Sequence, residues 1–340
     1  MDITKRLYMV VFLLAVTICV VAVYESIEYN KKNNLNLASV LNKARNKAAP
    51  MEVTEVLAPV EEKKDNQFKY IIPQENTDKD RMPLARRFNK EDTLQIPQAP
   101  EGFSAELTNN YIIFREQLSV TPELTKFIDT IHGNLVLDII PFSLSSEFKR
   151  FFLMLFRTRD SFTKYTLRPG WSQAATDVKA RAIYLMEGYS FKPIFIHELT
   201  HIYFDGFFMP SEPPLWMSEG YAVYNQSKAQ TAEENQWLYN NILILSKKNY
   251  INFAEFNNTS SLESYSPDEV ELWYAQSYSV VKYLLEKDKD SFYRFSKNLK
   301  EGMPFGKALY RAYGMPLNTL KALEYAWQAQ LQKEVKAGKF

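Results

Sequence analysis

Between Ile194 and Phe204 the chain reads Ile-Phe-Ile-His-Glu-Leu-Thr-His-Ile-Tyr-Phe. Pro193, just ahead, suits the first turn of a helix. With apolar residues on either side of its polar centre, such a helix is expected to run through a domain core. His197 and His201 are four residues apart, so they share one helix face about a turn from each other and both imidazoles can reach one metal ion. Glu198 projects beside that point, where a carboxylate can accept a proton from a water molecule. The 340-residue chain has only three histidines. A pair at this spacing, with Glu in this slot, arises by accident on the order of once in a thousand such chains. The segment therefore reads as a zinc-binding helix.

Two histidines do not complete a catalytic zinc site, which takes three protein ligands and keeps one position open. The third histidine, His132, lies far upstream, and nothing in the sequence positions it as a ligand. It reads as an ordinary, partly exposed histidine, with an auxiliary proton donor as the alternative. A carboxylate is needed, and the best candidate is Glu219, in Pro213-Pro214-Leu215-Trp216-Met217-Ser218-Glu219-Gly220-Tyr221-Ala222-Val223-Tyr224. The prolines start a new helix, and the interval from His201 leaves room for one reversal and a return. Gly220 and Ala222 allow close packing against the first helix. Asp205, four after His201, is placed to orient a ligand imidazole, although an exposed aspartate at a helix end is the simpler reading.

These two segments together resemble the gluzincin metallopeptidases. They are similar in particular to small peptidase-MA-like proteins, in which a Trp-(Leu/Met)-x-Glu-Gly-x-Ala-x-Tyr helix follows the His-Glu-x-x-His helix. The similarity continues through Tyr274-Ala275-Gln276-Ser277-Tyr278 and the stretch from Phe305 to Trp327, covering about 104–332. The resemblance implies a zinc-dependent peptidase with His197, His201 and Glu219 as metal ligands and Glu198 as general base. It also implies that Tyr274 donates to the oxyanion of the tetrahedral intermediate. Zinc in such a site acidifies water towards ~7 and polarises the scissile carbonyl. The chain departs from the aminopeptidase pattern, which has Gly-x-Met-Glu-Asn on the strand before the zinc helix. Here Met186-Glu187-Gly188 only echoes it, which leaves endopeptidase or carboxyl-side action open. The alternative class is a catalytically silent zinc-binding scaffold or interaction protein on the same fold.

The rest of the chain supplies the setting. Leu7 to Tyr24 is an uncharged apolar run of 18 residues, enough at 1.5 Å per residue to span a hydrocarbon core of ~30 Å. Lys5 and Arg6 precede it and Glu25 and Glu28 follow, so the expected topology is a signal anchor at 7–24 with residues 1–6 cytoplasmic. A cleaved signal peptide is the competing reading. Either way the body lies outside the cytoplasm, periplasmic or extracellular, with the lipid bilayer as the anchor's partner. Residues 25–103, proline-spaced and glycine-free until Gly102, read as a juxtamembrane helix and tether. A metallopeptidase domain is expected over 104–335.

Within that domain, Tyr111–Phe114, Leu135–Ile140 and Ala180–Met186 read as strands. Pro122–Ile131 and Ser145–Phe156 read as helices, and nearly everything beyond Pro193 is helical. Strands first and helices afterwards predict an α+β, zincin-like domain, a small mixed sheet followed by a helical subdomain. A peptide or protein substrate would pair along Ala180–Met186 by strand addition. The 41 basic and 40 acidic residues, a net charge of +1, argue against nucleic acid as a partner. The single cysteine excludes a disulfide framework and Cys-rich zinc modules.

Overall fold

The computed structural model describes residues 99–142, 150–168, 172–188 and 190–339. The expected anchor at 7–24, and the juxtamembrane helix and tether up to residue 98, lie outside these residues. Among the described residues no helix is long and apolar enough to cross a membrane.

Five strands form one mixed sheet in the order β1-β2-β3-β5-β4. They are β1 (Phe103–Leu107), β2 (Tyr111–Glu116), β3 (Phe151–Phe156), β4 (Ala174–Asp177) and β5 (Ala182–Met186). The central pairs β2·β3 and β3·β5 are parallel, and the outer pairs β1·β2 and β5·β4 are antiparallel. Helix α1 (Pro122–Ile139) makes the crossover from β2 to β3, and α2 (Arg159–Thr166) follows β3. After β5 the chain is helical: α3 (Phe191–Phe208), α4 (Leu215–Ser227), α5 (Gln236–Ser246), α6 (Phe253–Asn258), α7 (Pro267–Lys287), α8 (Lys289–Lys300), α9 (Phe305–Tyr313) and α10 (Leu320–Lys336). The expected α+β class, a small mixed sheet followed by a helical part, is what the chain adopts.

The alternation of side chains along each strand divides the core in two. Ile113, Leu153, Leu155, Ile183 and Leu185 join the helical body on one face. Ile112, Phe114, Met154, Phe156 and Tyr184 pack on the other, together with Phe162 of α2. This two-sided burial corrects one expectation. Phe151–Phe156 is a strand and not the end of a helix, because a central parallel strand is covered on both faces and so needs no polar alternation. Leu135–Ile140 corrects another. It is not a strand, since α1, capped by the Thr121 side chain and opened by Pro122, runs through Ile139. Its buried positions Leu124, Ile128, Ile131, Leu135 and Ile139 keep helical spacing, and Leu137 between them is exposed. The short elements β1, β4, α2 and α6 carried no pattern long enough to predict.

Helix α3 is buried on nearly every side, between the sheet and α4. Gly220 sets how closely α4 meets α7. A Cβ there would stand 2.6 Å from the Ser277 carbonyl carbon and 2.8 Å from Val281 Cγ2. No side chain larger than hydrogen fits without moving a helix.

Candidate metal centre

The i, i+4 spacing on α3 brings the rings of His197 and His201 together, their Nε2 atoms 3.2 Å apart. Helix α4 packs against α3 and places Glu219 Oε2 3.4 Å from His197 Nε2 and 3.8 Å from His201 Nε2. Among the described residues these three form the group whose ligand atoms could hold one metal ion, and all three are buried. Four ligands about 2.0–2.1 Å from a tetrahedral zinc place neighbouring ligand atoms about 3.3 Å apart. The observed separations bracket that value.

The far side of each ring is already occupied. His197 Nδ1 is 2.8 Å from Gln226 Oε1, an acceptor, so Nδ1 carries the hydrogen. His201 Nδ1 is 3.0 Å from both Asp205 Oδ2 and Ser218 Oγ, and Ser218 in turn donates to Asp205 Oδ1 at 2.7 Å. With the Nδ1 hydrogens so placed, both Nε2 atoms turn lone pairs towards the Glu219 carboxylate. Glu219 Oε2 has no hydrogen-bond partner although it is buried. Three acceptors converging without a donor is an arrangement that a cation satisfies. Without one, a proton takes its part. Burial lowers the pKa of His201, but the carboxylates of Glu219, Asp205 and Glu198 outweigh it and push the ring up to about 10. Burial likewise raises Glu219, and the neighbouring His201, His197 and Tyr274 hydroxyl outweigh that and hold its carboxyl below the usual range.

Glu198 is also buried, with one oxygen held and one not. Thr176 Oγ1 of β4 donates to Oε2 at 2.6 Å, whereas Oε1 has no partner. Tyr274 of α7 reaches the site, where its hydroxyl hydrogen-bonds Glu219. Tyr278, one turn on, packs against Tyr224 and hydrogen-bonds Ser227, so it belongs to other surroundings.

Several expectations change here. Asp205 is not an idle helix-end aspartate; it hydrogen-bonds the His201 ring. His132 is not partly exposed, and both of its ring nitrogens are engaged by tyrosines. It is buried with Tyr111 Oη 2.5 Å from Nδ1 and Tyr203 Oη 2.8 Å from Nε2. Burial, and the nearby Arg181 guanidinium, lower its pKa to about 4. Glu187 is bound to a buried arginine, Arg115 Nε donating to Oε1 at 2.6 Å and Nη2 to Oε2 at 3.3 Å. It is therefore not free to capture a substrate amine. Strand β5, expected to receive substrate, is paired on both sides by β3 and β4. Among the described residues the edge strands are β1 and β4, and β4 packs against α3. Thr176, Ser218 and Gln226 were not singled out from the sequence. Only Ser218 and Gln226 carried a hint, as polar residues one before and seven after Glu219 on one helix.

A buried pair of histidines on a core helix is joined by a glutamate from the next helix, a cluster that could hold one metal ion. Residues 183–333, which contain His197, His201 and Glu219, match the family described as the peptidase MA superfamily. No curated protein matches the chain.

Proposed function

We propose that the protein is a zinc-dependent peptidase of the gluzincin type, with His197, His201 and Glu219 holding one zinc ion. The observation that carries this reading is the pair of buried, unpartnered carboxylate oxygens, Glu219 Oε2 and Glu198 Oε1. One faces the two imidazoles, and the other belongs to the residue that follows the first ligand. Zinc held there supplies Lewis-acid polarisation of a peptide carbonyl and acidifies water.

The chain's own residues do the rest. Gln226, Ser218 and Asp205 fix which ring nitrogens face the ion. Glu198 takes a proton on Oε1 from the attacking water and delivers it to the leaving amine. Tyr274 restrains Glu219. Donation to the oxyanion requires its hydroxyl to exchange that carboxylate for the substrate oxygen. An extended peptide lies along the edge of β4, beside Glu198, where backbone pairing gives affinity with little demand on side chains. The engagement of Glu187 by Arg115 supports action away from a free amino terminus. In this proposal the apolar segment 7–24 anchors the protein in a bilayer with the domain outside the cytoplasm, as the flanking charges of 1–28 support.

Zinc content and hydrolysis of a peptide library, for wild type and Glu198→Gln, test the reading. The expected result is one zinc in both and a loss of turnover of about 10²–10⁴-fold in the variant. Zinc without hydrolysis in the wild type would instead make the domain a silent scaffold.

A further inference from the structure

The Glu198 carboxylate has a single hydrogen-bond partner among the described residues, and it comes from the sheet, not from the helix that carries it. Thr176 Oγ1 lies 2.6 Å from Glu198 Oε2 and 3.3 Å from the Glu198 backbone carbonyl. A hydroxyl has one hydrogen to give. The carbonyl is mid-helix and is met by the turn that follows it, so the short contact to the carboxylate takes the hydrogen. One oxygen of the base is thereby held, and the other, Oε1, stays buried without a partner.

Resting on the peptidase reading, we propose that Thr176 is a positioning residue that selects Glu198 Oε1 as the proton-accepting atom and fixes its direction. A carboxylate on a flexible side chain can present either oxygen, and rotation about its last bond exchanges them. Tying Oε2 removes that freedom. Thr176 suits the task because its χ1 is restricted by branching at Cβ and its backbone is pinned by the ladder, where it pairs with Ile183 of β5. It also sits on β4, an edge strand of the sheet among the described residues. The strand proposed to receive the peptide is thus the one that aims the base, which places substrate carbonyl and proton acceptor in one rigid frame.

Thr176→Val removes the hydroxyl while keeping the branched shape, and Thr176→Ser keeps the hydroxyl. The measurements are kcat and KM on one peptide cleaved by the wild type, zinc stoichiometry, and melting temperature. The expected result for Thr176→Val is a fall in kcat of about tenfold, with KM, zinc and melting temperature unchanged, and recovery of most of that loss in Thr176→Ser. Wild-type kcat in Thr176→Val overturns the proposal and leaves the peptidase reading standing. So does a loss that appears only in KM, or one that tracks lost zinc or a lowered melting temperature. A zinc-loaded wild type that hydrolyses no peptide removes the peptidase reading itself, and the role of Thr176 with it.

Discussion

Helix α3 takes part in two buried histidine clusters that differ in one respect. In the first, His197 and His201 face Glu219, and the acceptors converge with no donor between them. In the second, less than a turn further along, Tyr203 reaches His132, whose other nitrogen meets Tyr111. Both clusters are buried, and both combine imidazole with oxygen. The second is closed, because hydroxyls can donate or accept as the ring requires and every ring nitrogen has a partner. The first is open, because carboxylate and lone pairs only accept. Burial of a histidine therefore says little about metal binding. What separates a ligand from a core residue is the sign of what its second nitrogen meets.

The sharpest way to break this contrast is to remove one histidine from each cluster. His201→Ala is expected to abolish stoichiometric zinc binding, whereas His132→Gln keeps one zinc per chain. Metal analysis after dialysis decides, and loss of zinc from the His132 variant would erase the distinction.

Next in size is a pH effect of the closed cluster, between about pH 4 and 6.5. His132 has its pKa lowered from 6.5 to about 4 in the folded chain, so between those values the unfolded chain binds the extra proton. Stability is fully present above about pH 6.5 and is lost as pH falls towards 4, by about 3 kcal/mol in total. Denaturant melts of the apo-protein across this range should show the slope in wild type and a shallower one in His132→Gln.

The smallest effects come from trimming one orienting group on each side. Gln226→Leu should weaken zinc binding by about 10–100-fold with little change in the apo-protein's melting. Tyr203→Phe should cost about 1–3 kcal/mol of stability, since it leaves a buried nitrogen unpaired, with zinc affinity unchanged. Titration with a competing chelator and thermal melts separate the two.

How much of this was readable from the letters follows from sequence distance. His197, Glu198 and His201 were legible because one helical turn fixes their relation whatever surrounds them. Glu219 was legible because two prolines restart a helix within reach. Thr176 was not, because its contact with Glu198 joins a four-residue edge strand to a helix, and so short a strand carries no period. Gln226 reaches back 29 positions to His197, and one glutamine at a helix end has no distinguishing pattern. The misread stretches, Leu135–Ile140 and Phe151–Phe156, are both six-residue runs that are largely or wholly apolar. Length and periodicity cannot separate a buried strand from part of a long helix in such runs. The Thr121 cap and the packing on both sheet faces settled them.

Helix α4 carries Glu219 and, through Ser218 and Gln226, a hydrogen-bond partner for the rings of His201 and His197. Under the proposed reading, holding the ion and keeping α4 docked on α3 are a single event, and metal activity enters the folding equilibrium directly. At free zinc a hundredfold above the dissociation constant, that linkage adds about 2.7 kcal/mol to the folded state. A chelator would withdraw it even from a chain that never meets a peptide. On the same proposed reading, the ambient zinc supply would govern how long the protein lasts as well as how fast it works.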